Sequence, residues 1–320
     1  MSNLDIFNLD ADSLITKVPT GKTGDADFYK PYPEDGKDGV YKSLIRFVPN
    51  PKDPGKSKIQ KFYVFLKDPS TGNGFSVDCP STVGKKSVLK DLYWKLKNSH
   101  SAADQELSKT FSRKEDYYSL IQIVEDKNKP ELQGKIMLFK FGKKLNDFIE
   151  AQLKPEYGTK CNPYDLFEGK EFSLHVRKVG EWNNYDLCSF VGERSPIKIN
   201  GTSMQKNQTD MQTILAYLNE GPQNLTSYEY KDWDSETTEN VMKAIRSSVP
   251  ENRVVNEIIG GVGSASSTYS TKGESVSTPT SNDYLSEASD TRSFSQSSPA
   301  KKETAKATSN SSLEDLYDDL

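Results

Sequence analysis

The sequence is poor in the residues that form metal sites, disulfides and membrane spans. Its 320 residues include two histidines, His100 and His175, and three cysteines, Cys79, Cys161 and Cys188. A histidine-based metal centre or catalytic triad is therefore not expected. The odd number and wide spacing of the cysteines predict free thiols in a reducing compartment. No apolar run approaches the roughly 20 residues that span a bilayer, and the acidic start of the chain lacks the apolar core of a secretory signal.

The charge of the chain is unevenly distributed. The formal net charge is −4. Residues 41–180 contain 26 Lys and Arg against 17 Asp and Glu, a net of +9, whereas residues 1–40, 181–255 and 256–320 have net charges of −4, −4 and −5. A basic middle with acidic ends suits a domain that binds a polyanion and carries an acidic segment able to compete for the same groove.

Composition divides the chain into three segments. Residues 1–24 are short, polar and interrupted by proline and glycine, which is typical of a flexible arm. Residues 25–255 contain the apolar residues of a core. Residues 256–320 are rich in Ser and Thr and have too few apolar residues to order themselves, and they end in an acidic tip.

The apolar pattern of the middle segment predicts short strands interleaved with helices. Alternation and turn residues predict strands at 41–48, 59–66, 75–79, 117–124, 135–141 and 171–179. Helical spacing predicts a helix from about 88 to 96 and, after a polar insert, a second one that ends at about 112. Further helices are predicted over 144–153, 203–220, 235–247 and 251–259. Gly221 is expected as a helix C-cap, and Asp234 or Ser235 as an N-cap. The pattern favours an α+β, mainly β fold: a small OB-type barrel with helical insertions and C-terminal helices, followed by a disordered acidic tail.

Basic and aromatic residues are interleaved around the strand pair at 117–124 and 135–141. Positive charge follows a phosphate backbone and flat rings stack on bases, so this combination favours a single-stranded nucleic-acid groove. The alternative is a solvated strand pair whose rings belong to the core, since strands are enriched in aromatics. Tyr117 and Tyr118 should point to opposite faces, so that only one reaches a ligand, whereas Arg46 should share a face with Lys42.

Several motifs, in this order, resemble the single-stranded DNA-binding protein family of T-even-type tailed phages. They are SLIRFVP at 43–49, the CPST run from Cys79, YYSLIQIVEDKNKPELQGKIMLFKFGKKLNDFI at 117–149, FEGKEFSLHVRKVGEWNNYD at 167–186, and the LEDLYDDL terminus. The resemblance covers roughly residues 40–200 and the last residues of the chain.

This resemblance implies an OB-fold core that binds single-stranded DNA without sequence preference. It further implies a non-enzymatic protein of phage DNA replication, recombination and repair, acting in the cytoplasm of the infected bacterium. By position, the family's groove elements would include Arg46, Arg113, Tyr117, Tyr118, Phe139, Lys143, Lys144, Trp182 and Tyr185. The neighbouring basic residues Lys42, Lys114, Lys140 and Arg177 complete the predicted interface.

The resemblance also implies roles for the two ends of the chain. The tail would recruit replication and recombination proteins through Leu313, Glu314, Asp315, Leu316, Tyr317, Asp318, Asp319 and Leu320. The family's N-terminal arm mediates self-association along DNA, but here the arm carries only Lys17 and Lys22 within an acidic segment. Self-association by that contact is therefore in question.

The zinc site of the family is not matched. The family holds zinc with one histidine and three cysteines, and of these positions only Cys79 is kept. Leu89 and Leu92 occupy two cysteine positions, and the segment that would supply the histidine has Leu66, Lys67 and Asp68. We therefore expect no zinc and no other cofactor, with a small apolar cluster in its place.

Two other functions remain open from the sequence. An OB-type adaptor would use the basic face to dock an acidic protein, and an RNA-binding protein would use the same stacking and phosphate contacts. An enzyme is not expected, because the chain has no phosphate loop, no paired nucleophile and base, and no metal cluster pattern.

Overall fold

An eight-stranded antiparallel sheet dominates the computed structural model, which describes residues 28–249. Its neighbouring strands run in the order β3-β2-β4-β1-β6-β7, with β5 paired to β4 and β8 paired to β6, and β9 and β10 form a separate small sheet. The strands are β1 (Val40–Val48), β2 (Lys58–Lys67), β3 (Gly74–Asp78), β4 (Arg113–Asp126), β5 (Ile136–Phe141), β6 (Glu171–Val179), β7 (Trp182–Asn184), β8 (Ser189–Val191), β9 (Lys198–Ile199) and β10 (Thr202–Ser203).

Helices form insertions between the strands and follow the last of them. They are α1 (Val88–Lys97), α2 (Ala102–Ser108), α3 (Lys143–Leu153), α4 (Gln208–Glu220) and α5 (Ser235–Ser248). Together with the sheet they confirm the predicted α+β, mainly β class. Within residues 28–249, none of these helices has the length and apolar character to cross a bilayer.

The long strand β4 organises the sheet. Along one edge, its first half pairs with β2, as in Ser119 with Lys58, and its second half pairs with β1, as in Leu120 with Val48. Strand β5 pairs with the other edge. A register shift between Leu44 and Ile45 marks a bulge in β1, which bends the strand and increases its twist.

Alternating side chains of four strands point into one core against α3. Phe47 of β1 lies at its centre, with its ring centroid 5.8 Å from that of Phe141 in β5 and 5.9 Å from that of Phe172 in β6. Helix α3 supplies Leu145, Ile149 and Leu153, which recur at helical spacing and are buried. An antiparallel sheet whose inner face packs against a helix is the arrangement expected of an OB-type barrel.

The outer face of the same sheet is covered in its middle. Val48 and Leu120 pack there against Ile197 from the segment after β8 and against Ile214 and Leu218 of α4. These apolar contacts leave the two ends of the outer face exposed. They also explain why the strands carry apolar residues on both faces where the cover lies.

Helix α4 begins later than predicted. Asn207 caps it by accepting a hydrogen bond from the Asp210 backbone N–H at 2.9 Å, and Thr202 and Ser203 belong to β10 instead. Gly221 is the C-cap, as predicted, and its N–H donates to the Leu218 carbonyl, but its φ of −75° is not the left-handed conformation. A glycine is needed at this position because the backbone lies close to Ile136: a Cβ there would be 2.5 Å from the Ile136 side chain.

Candidate nucleic-acid interface

One exposed end of the outer face, which we call the β2 end, joins rings and lysines from three strands. It comprises Tyr63 and Phe65 of β2, Lys114 and Tyr118 of β4, and Lys140 of β5. The strand register brings them together, since Tyr63 lies opposite Lys114 and Tyr118 lies opposite Lys140. Cross-strand partners share a face, so these side chains point the same way.

The lysines of the β2 end lie over its aromatic rings. Lys114 Nζ is 5.7 Å from the centroid of Phe65, and Lys140 Nζ is 5.8 Å from that of Tyr63. These distances are within the range of cation–π attraction. Lys140 also pairs with Asp116 at 2.7 Å. Burial, and then the charge of Asp116, raise the pKa of Tyr63 to about 12, so its hydroxyl is neutral at pH 7.

Phe65 and Tyr118 differ in how much ring they offer. Phe65 is 48% exposed, although one side of it lies against Gly74. Tyr118 is 8% exposed, because its ring is stacked on Tyr228 with centroids 4.8 Å apart. The more accessible rings are therefore on β2, a strand that was predicted from the sequence but not as a binding element. The available signal was the pair of rings at alternate positions, 63 and 65, between Lys61 and Lys67.

The other exposed end, which we call the β6–β7 end, is centred on Trp182. The indole is 78% exposed and follows the turn at Gly180, where φ is +62°. The register places Trp182 opposite Val179, and Arg177 opposite Asn184. Lys42, on the neighbouring strand β1, is exposed as well. This end thus combines a free indole with two cations.

His175 lies between those two cations. It faces Lys42 across the β1–β6 pairing and is two residues from Arg177 on the same face. Burial, and then the charges of Lys42 and Arg177, hold the pKa of His175 below its ordinary value. The imidazole is therefore neutral at pH 7, and a bound phosphate would favour its protonation.

Three predicted interface residues near α3 and β7 are already engaged. Lys143 pairs with Asp147 at 3.0 Å along α3, and Lys144 pairs with Asp186 at 2.9 Å. Tyr185 is partly buried against the inner core. Exposed pairs of this kind contribute between about 0 and 1 kcal/mol, so a phosphate could displace the carboxylates at little cost.

Arg46 lies on the predicted face but is only 1% exposed. Its guanidinium donates hydrogen bonds to the carbonyl of Asp165 at 2.9 Å and to that of Ser195 at 2.7 Å. Burial lowers its pKa to about 10, which still leaves it charged at pH 7. The side chain therefore links β1 to the segments around Asp165 and Ser195, which lie over the outer face. Its burial does not suit the phosphate contact that we expected.

Tyr117 and Phe139 are buried in the inner core, and each ring is stacked on Phe141. Tyr117 and Tyr118 do point to opposite faces, because they belong to different core clusters. Arg113 is exposed, but its guanidinium lies 3.7 Å from the ring centroid of Phe62 and donates to Ser81. The structure therefore brings together some of the predicted residues in two groups, and it places Arg46, Tyr117 and Phe139 in the interior.

The positions that correspond to the family's zinc ligands do not fit a metal ion. Cys79 Sγ lies 3.1 Å from Ser81 Oγ and 3.3 Å from Ser87 Oγ, and two of the other ligand positions hold the buried Leu89 and Leu92. Across residues 28–249, His, Cys, Asp and Glu do not gather into a group that would hold a metal. All three cysteines are buried free thiols, as predicted.

The predicted arm at 1–24, the tail residues Leu313–Leu320 and the helix expected at 251–259 lie outside the described residues. The domain boundaries and the role of the tail therefore stay predictions.

The fold and its two exposed ends define a class of protein: an OB-type domain that presents aromatic and basic side chains on one sheet. The family model described as "gp32 DNA binding protein like" matches residues 37–238, and the chain belongs to this family. Among curated relatives, the single-stranded DNA-binding proteins of Enterobacteria phages T4 and T2 are each 27% identical to it over 185 residues. Those matches cover 56% of this chain and 60% of each relative.

Proposed function

We propose that this protein binds single-stranded DNA without sequence preference and catalyses no reaction. The observation that carries the proposal is the composition of the exposed sheet surface: both ends join accessible rings to lysine or arginine. Every base has a flat face and every nucleotide a phosphate, so stacking and charge together bind a strand regardless of its sequence. Membership of the family supports the same function.

At the β2 end, Phe65 and Tyr63 would stack on bases while Lys114 and Lys140 contact phosphates. At the β6–β7 end, Trp182 would stack, and Lys42 and Arg177 would contact phosphates. Lys143 and Lys144 would join after exchanging their carboxylate partners for phosphate. The buried Arg46, Tyr117 and Phe139 would support the sheet from within.

The proposal includes a role in phage DNA metabolism. It would protect and organise DNA strands during phage replication, recombination and repair inside the infected bacterial cell. Residues 25–255 would act as the binding domain, and the acidic tip at 313–320 would recruit replication and recombination proteins. The relatives' names extend only to single-stranded DNA binding.

Tryptophan fluorescence on titration with poly(dT) tests the proposal. Trp182 is exposed, whereas Trp94 and Trp233 are partly buried, so base stacking should quench mainly Trp182. We expect quenching whose midpoint moves to higher DNA concentration as salt is raised, because bound lysines release counterions. A Trp182→Phe variant assigns the signal, and poly(U) measures the preference for DNA over RNA.

An absence of binding to poly(dT) at low salt, by fluorescence and by gel shift, would reject the proposal. It would leave the adaptor function as the better account of the basic surface. A truncation ending at Gly261 tests the tail separately, since removal of a competing acidic segment should tighten binding.

A further inference from the structure

We infer that helix α5 and the leucines of α1 do the structural work that a zinc ion does in the family this chain resembles, and that the protein folds without metal. The inference concerns how the lobe formed by β2, β3 and α1 is held together. It does not depend on the proposed function.

Two of the four metal positions carry buried leucines. Leu89 and Leu92 are both at most 1% exposed, and a leucine offers no lone pair to a metal. Cys79 keeps its sulfur, but that sulfur lies within hydrogen-bonding distance of Ser81 and Ser87. One thiol within reach of two hydroxyls, with leucines at two of the other ligand positions, does not make the four nitrogen or sulfur ligands of a structural zinc site.

Helix α5 packs into the same cluster. Val241, Ala244 and Ile245 recur at spacings of three and one, which places them on one face of the helix, and all three are buried. They pack in one core cluster with residues from both strands of the hairpin and from α1: Val64, Leu66, Val77, Leu89, Leu92 and Leu96.

Two polar contacts fix where α5 begins. Asp234 accepts a hydrogen bond from the Thr237 backbone N–H at 2.7 Å, so it, and not Ser235, is the N-cap of the two that the sequence offered. The preceding Trp233 donates its indole N–H to the backbone carbonyl of Asp78 at 2.6 Å, which ties the start of the helix to the end of β3. The helix is therefore joined to the hairpin at its start and packs onto it along its apolar face.

The family match ends at residue 238, so Val241, Ala244 and Ile245 lie beyond the matched region. The family assignment therefore does not rest on the three residues that α5 contributes to the cluster. Because side chains alternate along β2, Val64 and Leu66 enter this cluster while Phe65 points to the outer face. The cluster supports the strand that carries the β2 end.

The test uses the full chain. Metal content is measured by mass spectrometry after purification without chelator and after incubation with zinc, and thermal unfolding is followed with and without EDTA. We expect no stoichiometric zinc and an unchanged melting temperature in EDTA. One equivalent of bound zinc whose removal lowers the melting temperature would overturn the inference.

Variants of α5 test its part in the lobe. Ile245→Ala should lower the melting temperature by about 5–15 °C and speed amide exchange in β2, β3 and α1. Arg246→Ala, one position along on the exposed face, is the matched control and should do neither. If Ile245→Ala fails to fold, Ile245→Val provides a milder form of the same change. Exchange in β2 and β3 that is no faster in the Ile245 variant than in the Arg246 control would contradict the role of α5.

Discussion

The two exposed ends of the outer face present rings and charges in different ways. At the β2 end, the lysines already lie over rings or pair with a carboxylate, and Phe65 rests on Gly74. At the β6–β7 end, Trp182 stands in solvent. The side chains of the β2 end are already held in place, but they must give up these contacts before they can contact a ligand. The β6–β7 end has little to give up, so each of its side chains should contribute more to binding and less to folding.

The largest expected effect separates the two ends by their rings. Trp182→Ala should weaken binding to poly(dT) by about 1–3 kcal/mol, or roughly 5- to 150-fold, with no change in melting temperature, because the exposed indole supports no packing. Phe65→Ala should weaken binding by only about 1 kcal/mol, since part of its ring already faces Gly74. Unlike the Trp182 change, it should also destabilise the fold. Fluorescence anisotropy of labelled oligo(dT) and thermal unfolding measure both quantities.

Tyr157→Ala is the control for these changes, because Tyr157 is 86% exposed and lies in neither end. Phe65→Leu keeps apolar cover over Gly74 while removing the aromatic face. Equal binding by Trp182→Ala and the Tyr157 control would remove the β6–β7 end from the interface. Full affinity in Phe65→Leu would show that the ring covers the glycine and does not stack on bases.

A smaller effect separates two lysines within the β2 end. Lys114→Gln should reduce the slope of log affinity against log salt by about 0.7, the value for one phosphate contact on a single strand. Lys140→Gln should reduce it by less, because Lys140 already neutralises Asp116 before DNA arrives. Lys127→Gln, on the exposed link between β4 and β5, is the control. Equal slopes for Lys114→Gln and the wild type would mean that Lys114 contacts no phosphate.

The same comparison shows what the sequence could and could not predict. Alternation along β1 correctly placed Lys42 and Arg46 on one face, because strand periodicity is local. It did not predict that Arg46 is buried, since the cover that buries it comes from Asp165 and Ser195, 119 and 149 residues further along the chain. Exposure on a sheet depends on such distant segments.

Local chemistry was predicted more reliably than accessibility. An N-cap at Asp234 or Ser235 and the opposite orientations of Tyr117 and Tyr118 follow from short-range rules; the orientations are confirmed, and the cap is Asp234. The accessible rings on β2 were not predicted as binding residues, whereas Tyr118 was, although Phe65 is far more exposed than Tyr118. That ring is covered by Tyr228, which lies 110 positions later in the numbering and could not be paired with it by periodicity.

The smallest expected effect uses pH to mark the β6–β7 end. The pKa of His175 is lowered by burial and by Lys42 and Arg177, so the free protein keeps the neutral imidazole and becomes slightly less stable as pH falls through the ordinary histidine range. A phosphate bound at Lys42 and Arg177 would offset those charges and favour the imidazolium. Binding should therefore take up a proton, and affinity should rise by up to about fivefold between roughly pH 7.5 and 5.5, since one charge pair in water contributes about 1 kcal/mol.

His175→Gln should abolish this rise, whereas His100→Gln, in the exposed link between α1 and α2, should retain it. Because the chain has only these two histidines, the pair of variants accounts for every imidazole. A pH dependence that survives in His175→Gln would exclude this group as its source. Loss of the dependence in Trp182→Ala as well would show that the ring and the imidazole serve one bound strand, because a nucleotide that no longer stacks on the indole cannot hold its phosphate beside His175.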